Sequence, residues 1–369
     1  MATTHQVPGS SRRVLITVSG RMNESDEVAA ANGRRPRADY RVLAGRLGGD
    51  LIDYSIAERD AGRVGRLVRR LAGPDALLAW SCFLRRRDYD AILTDGEQVG
   101  IPFAALCSFS GRRSRPVHSM VVHIMSVPKK AMLFKLLQLR RRVDRAFVYC
   151  TRQRDFVVTS LRMDESRVIL TPFMVDTAFF SPAAVDALRR PMICTAGLEL
   201  RDYATLVDAV RDLPVDVVIA AASPWSKRSP EFEGRPLPPN VTVCKLDHFE
   251  LRQLYAESLF VVMPLQENDF QAGITTILEA MAMARAVVCT RTRGQTDTIV
   301  DGVNGLYVSP GSVDSLRTAL LRLIEDPELA EALGLEGRAW VQHAADVDVY
   351  ADGLARAVLS DLDDSPHAE

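Results

Sequence analysis

The sequence predicts an α/β protein with two Rossmann-like domains facing a central cleft. Short, continuous apolar runs rich in β-branched residues alternate with longer stretches whose apolar residues fall at helical spacing. That is the pattern of parallel strands covered by helices on both faces. Two such series occur, each long enough for its own sheet. A chain of 369 residues is also too long for one ordinary core and suits two.

The first series predicts strands over Val14–Val18, Leu51–Tyr54, Ala91–Asp95, Val117–His123, Ala146–Cys150 and Val168–Pro172, with helical patterns such as Tyr40–Leu47 and Gly65–Leu84 between them. The second predicts strands over Met192–Gly197, Val215–Ala221, Val241–Lys245, Phe260–Leu265, Ala286–Thr290 and Gly305–Ser309. Prolines near both ends of Ser181–Pro191 mark the linker. This gives a polar tail over 1–12, a first domain over 13–185 and a second over 186–345. The remainder, 346–369, carries a helical stretch, Val347–Leu362, expected to return to the first domain. Gly234–Asn240, with three prolines, reads as an exposed loop.

Composition narrows the function. Apolar residues at 47% and charged residues at 25% are globular values. A net charge of −1 leaves no nucleic-acid footprint on the molecule as a whole. The cysteines Cys82, Cys107, Cys150, Cys194, Cys244 and Cys289 form no CxxC pair and no zinc spacing, and read as buried thiols. No apolar stretch approaches the roughly 20 residues that span a bilayer. The polar N-terminal residues lack an apolar signal region, so a cytoplasmic location is expected.

Ligands of open α/β sheets bind at the carboxyl ends of strands, and two facing domains place that site in the cleft. The most informative junction follows Phe260–Leu265. There Gly273 leads into a helix starting near Ile274 or Thr275. A glycine-led helix start offers free amides and a positive dipole end to a diphosphate, and Thr275 and Thr276 add hydroxyls. Glu279 shares a helix face with Thr275 and suits the neutral hydroxyls of a ribose. It suits equally a plain helix-favouring role. An inward-facing Glu279 would remove the ribose grip.

This segment resembles the donor-binding motif of glycosyltransferase family 4, in which a Glu, seven residues and a second Glu precede Ala-Met-Ala. The second Glu is Glu279, followed by Ala280, Met281 and Ala282. Asp301, Gly302, Asn304 and Gly305 occupy the family's downstream turn, and Thr171–Pro182 resembles its interdomain signature. The resemblance implies the GT-B fold, a nucleotide-sugar donor, retention of configuration and no bound metal or other cofactor. The chain departs from the motif at Gln271, where the family places the Glu that contacts the transferred sugar. It departs again at Ala284 and Ala286, where the family has Gly and Pro.

The resemblance also places Arg201 at a diphosphate-binding position, His123 against a hydroxyl of the donor sugar, and Lys245 and His248 near the nucleobase. Gly20, after the first strand, stands where GT-B enzymes approach the phosphate. His118, at the opposite strand end from His123, reads as structural. Asp95 and Glu97 end a strand, where they meet an acceptor or cap the next helix. From Gly111 to Arg154 stand twelve Lys and Arg, among them Arg112, Arg113 and Arg115, with Asp144 the single acid. The portion over 128–145 suits either a helix lying on an anionic membrane or a core helix with a basic outer face, and the second is slightly favoured. The leading expectation is a glycosyltransferase acting on an acceptor hydroxyl of a glycan, lipid or small natural product. A GT-B epimerase or hydrolase and an inactive nucleotide-binding subunit are the alternatives.

Overall fold

The computed structural model describes residues 12–109, 116–221 and 237–364. Most of the N-terminal tail, Arg112, Arg113, Arg115 and the start of the Gly234–Asn240 loop lie outside the described residues. The first sheet contains β1 (Val14–Val18), β2 (Asp50–Asp53), β3 (Ala91–Thr94), β4 (Val117–Val122), β5 (Arg145–Val148) and β6 (Val168–Leu170). Its order is β2-β1-β3-β4-β5-β6 and every pairing is parallel. The helices of this half are α1 (Glu24–Ala31), α2 (Asp39–Leu47), α3 (Tyr54–Arg59), α4 (Gly62–Arg85), α5 (Glu97–Ser108), α6 (Pro128–Leu136) and α7 (Thr151–Asp155).

The second sheet contains β7 (Met192–Ala196), β8 (Asp216–Ala220), β9 (Val241–Cys244), β10 (Val261–Met263), β11 (Val287–Thr290) and β12 (Leu306–Val308). It runs β12-β11-β10-β7-β8-β9, again all parallel. With it come α8 (Tyr203–Val210), α9 (His248–Glu257), α10 (Ile274–Ala282), α11 (Val313–Glu325), α12 (Pro327–Ala344) and α13 (Val347–Asp363).

The alternation of β1 shows how the sequence builds the layers. Val14 and Ile16 face α2 and α13, packing with Leu43, Tyr350 and Leu354. Leu15 faces the opposite side, against Leu77, Leu78 and Phe103 of α4 and α5. The helix predicted over Gly65–Leu84 is two segments joined at Gly73 (φ 87°) and Pro74. Proline cannot donate to the preceding turn, and glycine takes the left-handed backbone that the kink requires.

The backbone crosses between the domains twice, and the crossings lie side by side. Val175 and Asp346 form a parallel bridge. The Val175 amide donates to the Ala345 carbonyl at 2.9 Å, and the Val347 amide donates to the Val175 carbonyl at 2.9 Å. After the second crossing, α13 lies on the first domain.

The carboxyl edges of the two sheets face each other. Past β5, the Thr151 amide donates to Asp297 Oδ2 at 2.8 Å and Arg152 pairs with Asp269 at 2.6 Å, both acids belonging to second-domain loops. On the other flank, the Arg34 guanidinium lies 4.0 Å from the ring centre of Phe249 in α9. Between these contacts runs the cleft.

Candidate active site

Each sheet reverses its strand order once, between β1 and β3 in the first and between β7 and β10 in the second. The crevice beyond such a reversal is where open α/β sheets bind ligands. In the second domain the loops that leave β7 and β10 are stitched together there. Arg201 bridges Leu265 in antiparallel fashion, the Gln266 amide donates to the Leu200 carbonyl at 2.9 Å, and the Asp202 amide donates to the Pro264 carbonyl at 3.1 Å. Leu200 holds a left-handed φ of 54°, the kind of local strain that accumulates at ligand-binding turns.

Arg201 is only 6% exposed. Its Nε donates to the Ala196 carbonyl at 3.0 Å and its Nη1 to the Glu199 carbonyl at 2.7 Å. It forms no ion pair among the described residues, and burial pulls its pKa down. Asp202 does not pair with it, because that carboxylate caps α8 through the Thr205 amide at 3.1 Å. Gly197 makes room for this guanidinium, since a Cβ there would lie 2.5 Å from Arg201 Nη2. A buried cation held only by carbonyls is set up to receive an anion.

Gly273 is the N-cap of α10, with φ 78° and no side chain to cap the helix. A Cβ at this position would meet Met263 Sδ at 2.6 Å and Leu265 Cδ2 at 3.3 Å. The glycine therefore brings the helix start against β10 and leaves the amides of Thr275 and Thr276 for a ligand, while the Ile274 amide donates to the Gln271 carbonyl at 3.4 Å. Thr275 is exposed and Thr276 buried.

Glu279 does not stand open in the cleft. It is 6% exposed, and its Oε2 accepts from the buried Tyr255 hydroxyl at 2.9 Å. Burial raises its pKa to about 7, with the Tyr255 bond opposing. Glu279 is thus turned largely inward, with one oxygen already engaged. Only the second oxygen, which has no hydrogen-bond partner among the described residues, remains for a ligand. Gln271, 8% exposed, donates through Nε2 to Thr298 Oγ1 at 3.5 Å, and its Oε1 is buried without a partner. Lys245 and His248 lie beyond the edge strand β9, where Lys245 is exposed.

Across the cleft, His123 follows β4 directly. Its Nε2 meets the Asp95 carbonyl at 2.8 Å. A carbonyl only accepts, so Nε2 carries the proton, and the Nδ1 of a neutral ring is left as an acceptor. The expected acceptor-side roles of Asp95 and Glu97 do not fit their environments. Asp95 takes Thr17 Oγ1 at 2.5 Å, the Ser19 amide at 2.5 Å and Ser19 Oγ at 2.8 Å, which ties the loops after β1 and β3. Burial raises the Asp95 pKa against these bonds.

Glu97 is fully buried. It accepts from Lys130 Nζ at 2.6 Å, from the His123 amide at 2.8 Å and from the Ile124 amide at 3.1 Å. Burial opposes its charge, but Lys130 and the His123 amide outweigh this and hold the carboxyl below its ordinary range. Glu97 thus fixes the turn that carries His123. Gly20 has open space where a Cβ would be, and its carbonyl accepts from the Tyr54 amide at 3.0 Å. His118 is buried, with its ring nitrogens on Thr94 Oγ1 and the Arg142 carbonyl.

Sequence reading missed Asp39. It heads α2, which follows the loop beyond β1, and lies half-buried within electrostatic reach of Asp95 and His123. Burial raises its pKa, and the Asp95 charge adds to that. Its place just past the first strand–loop junction was the available signal.

The basic segment packs on the core as the favoured expectation has it, but its outer face is apolar as well as basic. Ala131, Phe134 and Leu139 enter the core, while Met132 (64% exposed) and Leu136 (74%) face outward with Leu133 and Leu137. A cavity of about 660 Å³ opens there, lined by Pro128, Ala131, Met132, Lys135, Leu136 and Phe156 among others. No described helix is long and apolar enough to cross a membrane.

Comparisons agree with this architecture. Residues 193–326 match the family model for Glycosyl transferases group 1. An uncharacterized glycosyltransferase of Methanocaldococcus jannaschii is 25% identical over 134 residues, which is 36% of this chain and 37% of that protein. The MMP alpha-(1->4)-mannosyltransferase of Mycolicibacterium hassiacum is 24% identical over 304 residues, covering 74% of this chain and 72% of the relative. Among solved structures, sucrose-phosphate synthase of Thermosynechococcus elongatus superposes with a TM-score of 0.71 at 17% identity, over 96% of this chain and 100% of that one. Anabaena HepE, solved in complex with UDP and glucose, superposes with a TM-score of 0.66 at 13% identity, over 95% and 100%. Residues 193–326 of the second domain are thus similar to group 1 glycosyl transferases, and the chain as a whole has the GT-B fold.

Proposed function

We propose that this protein moves a sugar from a nucleoside diphosphate sugar to an acceptor hydroxyl, with retention of configuration and without a bound metal. The observation that carries the reading is Arg201, a buried cation with no ion pair among the described residues, at the strand reversal of a domain similar to group 1 glycosyl transferases. The uncapped start of α10 lies in the loop bonded to it. Together they supply the positive environment that a departing diphosphate needs. The unpartnered Glu279 oxygen takes a ribose hydroxyl, Gln271 meets the sugar, and His123 Nδ1 accepts from a sugar hydroxyl.

The bond from the anomeric carbon to the phosphate oxygen breaks, and the acceptor oxygen attacks the same face. The acceptor's proton passes to the leaving phosphate oxygen, so no side chain serves as general base. The exposed apolar residues of α6, with Lys129, Lys135, Arg140 and Arg141 around them, favour work at an anionic membrane surface on the cytoplasmic side and a lipid-borne acceptor.

The reading is tested by calorimetry with UDP and GDP, followed by mass spectrometry of the matching nucleotide-sugar with and without candidate acceptors. Binding and acceptor-dependent consumption are expected. Consumption without acceptor would favour an epimerase or hydrolase, and absence of nucleotide binding would defeat the reading. For the membrane surface, Met132→Asp and Leu136→Asp should abolish sedimentation with vesicles containing phosphatidylglycerol. Undiminished sedimentation of both variants counts against that part.

A further inference from the structure

Beneath the helix start lies a set of buried polar atoms that the fold itself does not satisfy. Gln271 Oε1, Gln295 Oε1 and Thr292 Oγ1 are all buried and lack hydrogen-bond partners among the described residues. Folded proteins rarely leave such groups unpaired unless a water or a ligand completes them.

These atoms belong to one assembly. Thr292, Gln295 and Thr298 stand on the loop leaving β11, and Gln271 on the loop leaving its neighbour β10. The loops touch closely: a Cβ on Gly294 would lie 2.2 Å from the Phe270 carbonyl oxygen, and the Gly294 amide donates to the Asn268 carbonyl at 3.1 Å. Gln295, fully buried, donates through Nε2 to the Ala272 carbonyl at 3.1 Å and so pins the residue between Gln271 and Gly273. Thr298 holds Gln271 Nε2. The carbonyl oxygen of Gln271 is therefore the end left for an incoming donor.

The set is also uncharged. The charged residues of the same loops stay at the rim, where Arg293 meets Glu267 at 3.3 Å and Asp269 at 3.4 Å, Arg152 joins Asp269, and the exposed Asp297 accepts from the Thr151 amide. Burying a charged substituent against amides and hydroxyls with no counter-charge is costly, whereas a sugar hydroxyl donates to a waiting carbonyl oxygen at little cost. We infer that Thr298 and Gln295 are positioning residues that present Gln271 as an uncharged reader of hydroxyls, restricting the donor to uncharged sugars. This inference rests on the nucleotide-sugar reading above.

Calorimetry tests it on the full chain, with UDP, UDP-glucose and UDP-glucuronate as probes and with GDP and GDP-mannose if the protein prefers guanine. The glucuronate conjugate should bind at least about tenfold more weakly than a neutral hexose conjugate. Gln295→Leu should bring the affinity of the hexose conjugate down to that of the bare diphosphate while leaving the bare diphosphate within about twofold of wild type. If Gln295→Leu fails to fold, Thr298→Val carries the same expectation. Equal affinity for the two conjugates overturns the inference. So does an unchanged ratio of conjugate to bare nucleotide in the variants, or an equal loss for both ligands, which would mark general structural support. Failure of the wild type to bind any nucleoside diphosphate is a separate result that removes the underlying reading and this inference together.

Discussion

Arg201 and Glu279 carry charge in opposite ways, and each yields a measurable consequence. Replacing Arg201 by alanine should lower turnover by roughly 100- to 1,000-fold, the range for removing one preorganised charge-stabilising group. It should leave the melting temperature nearly unchanged, because the variant also relieves a buried, unpaired cation. Near-normal turnover would exclude Arg201 from the reaction. Glu279 titrates near pH 7 in the folded chain, above its ordinary carboxylate value, because it is buried. A carboxyl whose folded pKa is raised adds stability that is complete below the unfolded pKa and is lost as pH rises through the folded pKa. Wild type should therefore lose stability between about pH 4.5 and pH 7.5, on the order of 3 kcal/mol in total, relative to Glu279→Gln. Denaturant midpoints of both proteins across that window check this, and parallel curves would show that Glu279 stays ionised throughout.

At the scale of elements, the start and the end of α10 invite opposite substitutions. Gly273→Ala forces a Cβ onto Met263 at a positive φ and should cost about 2 kcal/mol or more together with nucleotide affinity. At the other end, Ala284 adopts φ 53° where the resembled family has glycine. Ala284→Gly should therefore stabilise by about 1 kcal/mol, read as a higher melting temperature. A lower one would mean that the alanine side chain supplies contacts worth more than the strain.

All twelve strands were legible in the sequence, because the inner strands of a parallel sheet are buried on both faces and read as apolar runs, and the edge strands keep enough apolar residues between turn signals to show. The glycine at the helix start was legible for a similar local reason. The partners of the site's side chains were not. Asp95 is held by Ser19 from 76 residues away, and Glu279 by Tyr255 from 24. Such pairings depend on which loops the topology brings together, and no spacing rule reports that. For the same reason Asp95 and Glu97 read as acceptor groups or helix caps, whereas the structure makes them internal ties.

For the whole molecule, the relation between the domains rests on a few polar contacts over the cleft and on the paired crossings behind it. The Arg152–Asp269 pair is half-exposed on both sides. Asp269→Arg places three cations together, with Arg152 and Arg293, and should widen the cleft, enlarging the radius of gyration in small-angle scattering at low salt and less at high salt. No change at low salt would show that the cleft width is set elsewhere. The paired crossings imply more. Two adjacent strands of backbone, bonded to each other at Val175 and Asp346, act like a door hinge with two knuckles. Opening and closing about that line is cheap, whereas twisting one half against the other must tear the bonds between the tethers. A fragment ending at residue 185 would leave the apolar face that α13 covers bare to water.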